Sequence, residues 1–262
     1  MEQTKRSANR GPFSMSKTDL LEFLMKGRAF LALIIVFVVF ASMAPGFLSI
    51  ENVIIISKHV AIIALMAIGM TFVILSGGID LSVGSIVGLT AMIAGGLINE
   101  GIRLGIFGVV LFPNVWMVIV LTLISGIIIG AVNGLVITRL KVYPFIATLG
   151  MLYAARGMAG LRNNGRTFPN LVGKEQFNNL GFEQLGAGTL LGVPYSVWIM
   201  FAFALVAYYV TTKLPFGRHV YALGGNRRVA ELSGVRVRRT ETLVYTISGF
   251  CSAMVGLIIA SQ

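Results

Sequence analysis

The sequence predicts an all-α, polytopic integral membrane helix bundle of about seven transmembrane helices, with a cytoplasmic N-terminus. Three observations lead there. Only 12% of the 262 residues are charged, about half the share of a soluble globular chain, which is ~25%. The mean hydropathy is +0.86, and 31 glycines fit membrane helices better than soluble ones. The 21 Lys and Arg residues fall between long apolar runs rather than along one face. Together these exclude a soluble domain, a disordered chain and a disulfide scaffold. The single cysteine, Cys251, can form no intrachain disulfide. The net charge of +11 invites a nucleic-acid reading, but cations spaced between apolar runs set membrane topology instead, so no nucleic acid is expected as a partner.

A hydrocarbon layer ~30 Å thick needs about 20 apolar helical residues. Seven runs approach this: Ala29–Ala44, Val53–Leu75, Ser82–Leu97, Val115–Ile137, Val142–Ala155, Val193–Val210 and Leu243–Ala260. The second is interrupted by Lys58 and His59, which can reach back to the membrane surface. The fourth has 23 residues and no charge. The fifth is short, and charge distribution tests it. If all seven cross and the N-terminus is cytoplasmic, fifteen cations lie inside and five outside, with Arg156 at a helix end. Removing the fifth span would put the most basic loop on the wrong side. Residues 1–28 therefore read as a basic cytoplasmic tail and 29–262 as the transmembrane domain, with an outer loop over 159–192 and a cytoplasmic loop over 213–241.

Within that plan, Gly126, Gly130 and Gly134 recur every four residues in the fourth span, and Gly84 and Gly88 do so in the third. Such spacing clears one helical face for close packing, and helix packing is the role expected for all five. Between the second and third spans, Gly77 and Gly78 break the helix, and Asp80, Ser82 and Ser85 follow. Asp80 is read as an N-cap for the next helix. A break at membrane depth also brings polar groups to a substrate path, and both readings stay open. Metal-ligand clusters and paired carboxylates are not visible, so no cofactor, metal or catalytic residue is expected. The stretch from Gly160 to Thr167 has the spacing of a phosphate loop but lacks its Lys and a preceding strand, so nucleotide binding by this chain is rejected.

The 213–241 loop holds seven cations and two acids. Its punctuation predicts a short helix, with Asn226 as N-cap, Arg227 to Leu232 helical and Gly234 as the stop. Its basic character also draws it toward anionic membrane lipid. The polar 159–192 segment has the size of a docking loop or of a plain connection.

Three stretches carry a resemblance: GMTFVILSGGIDLSVGSIVGLTAMIAGG (Gly69 to Gly96), YPFIATLGMLYAARG (Tyr143 to Gly157) and FGRHVYALGGNRRVAELSGVRVRRTETLVYTISGFCSAMVGLI (Phe216 to Ile258). In order and spacing they resemble the permease subunits of ribose-type sugar-importing ABC transporters. The resemblance implies a bacterial inner-membrane transport subunit, not itself an enzyme, that imports a ribose-like monosaccharide by alternating access. It implies as partners cytoplasmic ABC ATPase subunits, a periplasmic sugar-binding protein and a second permease copy or paralogue. By the same analogy Gly224, Gly225, Asn226, Arg227, Arg228, Glu231, Gly234 and Arg236 would couple to the ATPase, while Gly77, Gly78, Asp80, Ser82 and Ser85 would lie near the path. Members of that family continue with further helices beyond the equivalent of Gln262, so the chain is expected to be C-terminally truncated. The alternative is an ion-coupled secondary transporter or channel for a small solute, which would need buried ionisable residues; Asp80 alone is a candidate. A membrane enzyme would need a catalytic constellation, and none is legible.

Overall fold

The computed structural model describes residues 27–104, 108–177 and 179–262; five of the six cations read as the N-terminal tail's lie outside them. The chain divides into two compact units, Met1–Val53 and Ile54–Gln262. In the described part of the first, helix α1 (Arg28–Met43) is followed by a turn. There Phe47 stacks on Phe40 and meets Phe37 edge-on, and Asn52 Nδ2 donates to the Phe47 carbonyl at 2.6 Å.

Helix α2 (Ile50–Leu75) runs into the second unit. It is followed by α3 (Val83–Asn99), strands β1 (Ile102–Leu104) and β2 (Val109–Leu111), α4 (Val115–Arg139) and α5 (Pro144–Arg162). After a 3-10 turn at Glu175–Phe177 come the short α6 (Gln184–Ala187), strands β3 (Thr189–Leu190) and β4 (Val193–Pro194), α7 (Tyr195–Lys213), α8 (Pro215–Gly225), α9 (Arg227–Leu232) and α10 (Val237–Ala260). Each strand pair is a small antiparallel ribbon. Helices dominate because apolar segments in lipid must pair every backbone N–H and C=O internally.

Each of the seven expected runs forms a helix, but only α2, α4, α7 and α10 have both the length and the apolar composition of a full crossing. Helices α1 and α3 have 16 and 17 residues, about 24–26 Å at 1.5 Å per residue, just short of the hydrocarbon layer. Two helices extend furthest beyond their apolar runs. Helix α5 continues through Arg156 to Arg162, and α10 begins at Val237 rather than Leu243. A search for uncharged stretches stops at the first charge, whereas a helix continues wherever its backbone bonds and packing do.

The second unit is organised around α10. Some 61% of its span is buried, against 11% to 22% for the other three full-length helices. Successive levels of α10 complete successive clusters. Val244 and Tyr245 join Phe72, Val73, Ile137 and Val220; Val255 and Ile258 join Ile62, Leu65 and Val87; Leu257 joins Ala94, Ile98, Val118 and Phe182. Its closest neighbour is α4, because that face has no side chains. A Cβ at Gly126 would strike Ala253 and the Gly249 carbonyl, one at Gly130 the Tyr245 carbonyl, and one at Gly134 Thr242. The packing role expected of Gly84 and Gly88 requires correction. An added Cβ at either meets nothing within 4 Å, so among the described residues nothing packs tightly against that face of α3.

Candidate functional site

The break between α2 and α3 is built locally. Gly77 N donates to the Ile74 carbonyl and Gly78 N to the Val73 carbonyl, both at 2.9 Å, with Gly77 at φ +80°. This pair of bonds is the Schellman ending of a helix, and its left-handed residue favours glycine. Gly78 is held for a second reason: a Cβ there would lie 2.5 Å from the Tyr245 hydroxyl. The turn delivers Asp80 into the interior, 1% exposed. Its Oδ1 accepts from Ser82 N at 2.9 Å and Ser82 Oγ at 2.6 Å. Its Oδ2 accepts from Ser248 Oγ of α10 at 2.8 Å. Ser82 Oγ in turn accepts from Asn133 Nδ2 of α4 at 2.9 Å.

The N-cap reading of Asp80 is therefore corrected: Ser82 occupies that position, and Asp80 folds back on Ser82 while reaching across to α10. Its charge is met by the Ser82 backbone amide and by the hydroxyls of Ser82 and Ser248, the arrangement that lets a buried carboxylate persist. Four of the five residues placed near a path, Gly77, Gly78, Asp80 and Ser82, thus lie in or around a lock between α2, α3, α4 and α10. Ser85 has a different setting. With Leu81 before α3 and Gly84 and Gly88 within it, Ser85 lines a groove of about 410 Å³ whose other wall is Leu152, Arg156 and Ala159 of α5. Arg156, read from the sequence as a helix-end charge, lies well within α5 and is exposed along this groove. Its proximity to the glycines of α3 could not be read from spacing along the chain.

The basic hairpin between α7 and α10 holds two helices, not one. Helix α8 escaped the sequence reading; Pro215 starts it and its Val220 and Leu223 are buried. Gly224 lies directly against the Leu75 carbonyl at the end of α2, leaving no room for a Cβ. Asn226 Oδ1 accepts from Val229 N at 3.1 Å and caps α9, and Gly234, at φ +84°, ends it with the same pair of backbone bonds seen after α2. The two neighbouring arginines differ. Arg227 Nη1 donates to Glu241 Oε1 at 3.0 Å and its Nη2 stands 2.9 Å from Oε2, with Glu241 6% exposed. Arg228 pairs with Glu231 at 3.2 Å on the surface. Val229 and Leu232 are exposed beside Arg228, while Gly225 and Arg236 are exposed at the ends of the loop.

At the opposite end of the bundle the 163–192 segment is tied down. Arg162 Nη1 donates to Glu100 Oε2 at 2.8 Å and its guanidinium lies over the Phe168 ring. Asn99 Nδ2 donates to the Pro169 carbonyl and Asn179 Nδ2 to that of Ile98.

The sequence that folds this way has counterparts among known proteins. Residues 52–262 match the family described as branched-chain amino acid transport system / permease component. The chain belongs to this permease family. It is 39% identical over 247 residues to a ribose import permease protein of Haemophilus influenzae, covering 94% of this chain and 72% of that one. A ribose import permease protein of Bacillus subtilis is 36% identical over 233 residues, 89% of this chain and 67% of the relative. An autoinducer 2 import system permease protein of Salmonella typhi is 31% identical over 246 residues, 93% and 66% respectively. No solved structure matches the chain. Family membership and the apolar helices together make it a multi-pass permease of the bacterial inner membrane.

Proposed function

We propose that this chain is the membrane-spanning subunit of an ATP-driven importer of ribose-like monosaccharides, working by alternating access. The substrate class rests on the relatives named as ribose import permeases. The observation that carries the mechanism is the α8–α9 surface. It is a pair of short helices packed on the end of α2 and paired to α10, with Val229 and Leu232 exposed among cations. Apolar side chains ringed by charge suit a protein partner better than water. In this reading, Arg228, Glu231 and Arg236 face a cytoplasmic ATPase, while Gly224, Asn226, Arg227 and Gly234 hold the shape of that surface. The N-terminus then lies in the cytoplasm, and the clamped 163–192 segment lies outside, where it receives a sugar-binding protein.

The groove along Gly84, Ser85 and Gly88 supports a sugar path or a seam with a second permease copy or paralogue. A guanidinium in a membrane helix is costly against lipid and is tolerated beside water or a partner. Its donors suit sugar hydroxyls. The Asp80 lock is the junction through which a movement of α10 would reach α3, and alternating access needs such elements to have two arrangements. The test is uptake of labelled ribose by cells expressing the system. When the proton gradient is collapsed and ATP is maintained, uptake is expected to continue, and its abolition would refute an ATP-driven mechanism.

A further inference from the structure

Where α4 ends and α10 begins, Arg139, Arg238 and Arg239 line one cavity of about 510 Å³ with Leu135, Thr138 and Thr242. Among the described residues no carboxylate borders it. Glu241, the acid of α10, is engaged with Arg227 instead. Three like charges sharing a cavity repel one another and are together relieved by an anion. Their guanidinium groups offer several N–H donors in the planar arrangement that phosphate oxygens accept.

The surroundings decide which anion. From Leu135 an exposed apolar track runs back along α4 through Val132 and Ile128, residues that share one helical face by their spacing. That track lies within a span long and apolar enough to cross the membrane, so the cavity sits at the headgroup level and the track at the level of the acyl chains. Free phosphate or an acidic peptide would use the arginines but not the track.

We infer that this is a binding site for an anionic phospholipid. Its phosphate is held by Arg139, Arg238 and Arg239, and one acyl chain lies along Leu135, Val132 and Ile128. The inference is independent of what is transported. A bound lipid would bridge the end of α4 and the start of α10, the two helices that pack most closely.

The experiment uses the full chain in a neutral detergent. Thermal unfolding is followed with added dioleoyl phosphatidylglycerol, dioleoyl phosphatidylcholine or inorganic phosphate, and retained lipid is weighed by native mass spectrometry. The expected result is a rise in midpoint and a retained lipid with phosphatidylglycerol only. Both should be lost in the R139Q/R238Q/R239Q variant and kept in the R218Q/R228Q/R236Q variant, which removes the same charge elsewhere. Should the first variant not fold, R239Q alone is expected to weaken lipid retention severalfold. Equal effects of phosphatidylcholine, an equal rise with inorganic phosphate, or equal losses in both variants would overturn the inference. So would unaltered lipid retention in R139Q/R238Q/R239Q combined with lost partner association, which would turn the cavity into a protein contact.

Discussion

Ser248 Oγ donates to Asp80 Oδ2 at 2.8 Å across 168 residues of sequence, so one hydroxyl on the most buried helix holds the turn that separates α2 from α3. Hydrogen bonds to charged groups contribute about 1.5–3 kcal/mol, and Ser248→Ala should lower stability by that amount. Asp80→Ala should cost more, because Ser82 and Ser248 both lose their acceptor while remaining buried. Thermal unfolding in detergent checks the order. Equal midpoints for S248A and the parent would mean that the bond contributes nothing.

Two glycine motifs of equal spacing should respond with opposite sign to alanine. At Gly130 a Cβ would meet the Tyr245 carbonyl and Thr246, and overpacking of this kind costs about 1–3 kcal/mol. At Gly88 it meets nothing, and replacing a helical Gly by Ala stabilises by about 0.5–1 kcal/mol. The purified chain should therefore lose stability with G130A and gain it with G88A. Destabilisation by G88A would place a partner on that face.

That contrast marks where sequence reasoning stops. Hydrophobic runs located the four helices long and apolar enough to cross, because burial in lipid is a property of a continuous segment. The Gly77 and Gly234 stops were equally legible, since left-handed backbone favours glycine locally. Which glycine face is covered depends on tertiary contacts, and Gly84 and Gly126 look alike in one dimension. Of the groups around Asp80, Ser82 is its neighbour in sequence, but Ser248 of α10 and the Asn133 of α4 that bonds Ser82 come from far along the chain, with nothing near Asp80 to announce them. Helix α8 was missed because the Gly-Gly at its end reads as a loop, although Gly224 is there to let α8 touch the end of α2.

The turn between β3 and β4 offers a stabilising change. Leu191 and Gly192 both have positive φ, +54° and +77°, the two-residue hairpin turn that favours Asn-Gly. A leucine there pays about 1–2 kcal/mol for left-handed backbone, and its side chain is 87% exposed. Leu191→Asn should recover about half of that penalty. The expected reading is a raised unfolding midpoint in detergent, and an unchanged one would show that Leu191 makes a compensating contact.

Arg227 and Arg228 adjoin in sequence and should separate in experiment. Arg227→Gln leaves the Glu241 carboxylate buried and unpaired, a loss of about 1–2 kcal/mol once the partial exposure of the arginine is allowed for. The R227Q/E241Q pair should recover most of it, because both charges are then gone. Arg228→Gln breaks only a surface pair, which contributes about 0–1 kcal/mol, so its midpoint should hardly move. If the α8–α9 surface docks an ATPase, R228Q should weaken co-purification of that partner while R227Q/E241Q retains it. Equal retention of the ATPase by R228Q and the parent would remove Arg228 from the interface, and a midpoint unchanged by R227Q would show that its pairing with Glu241 does not hold α9 to α10.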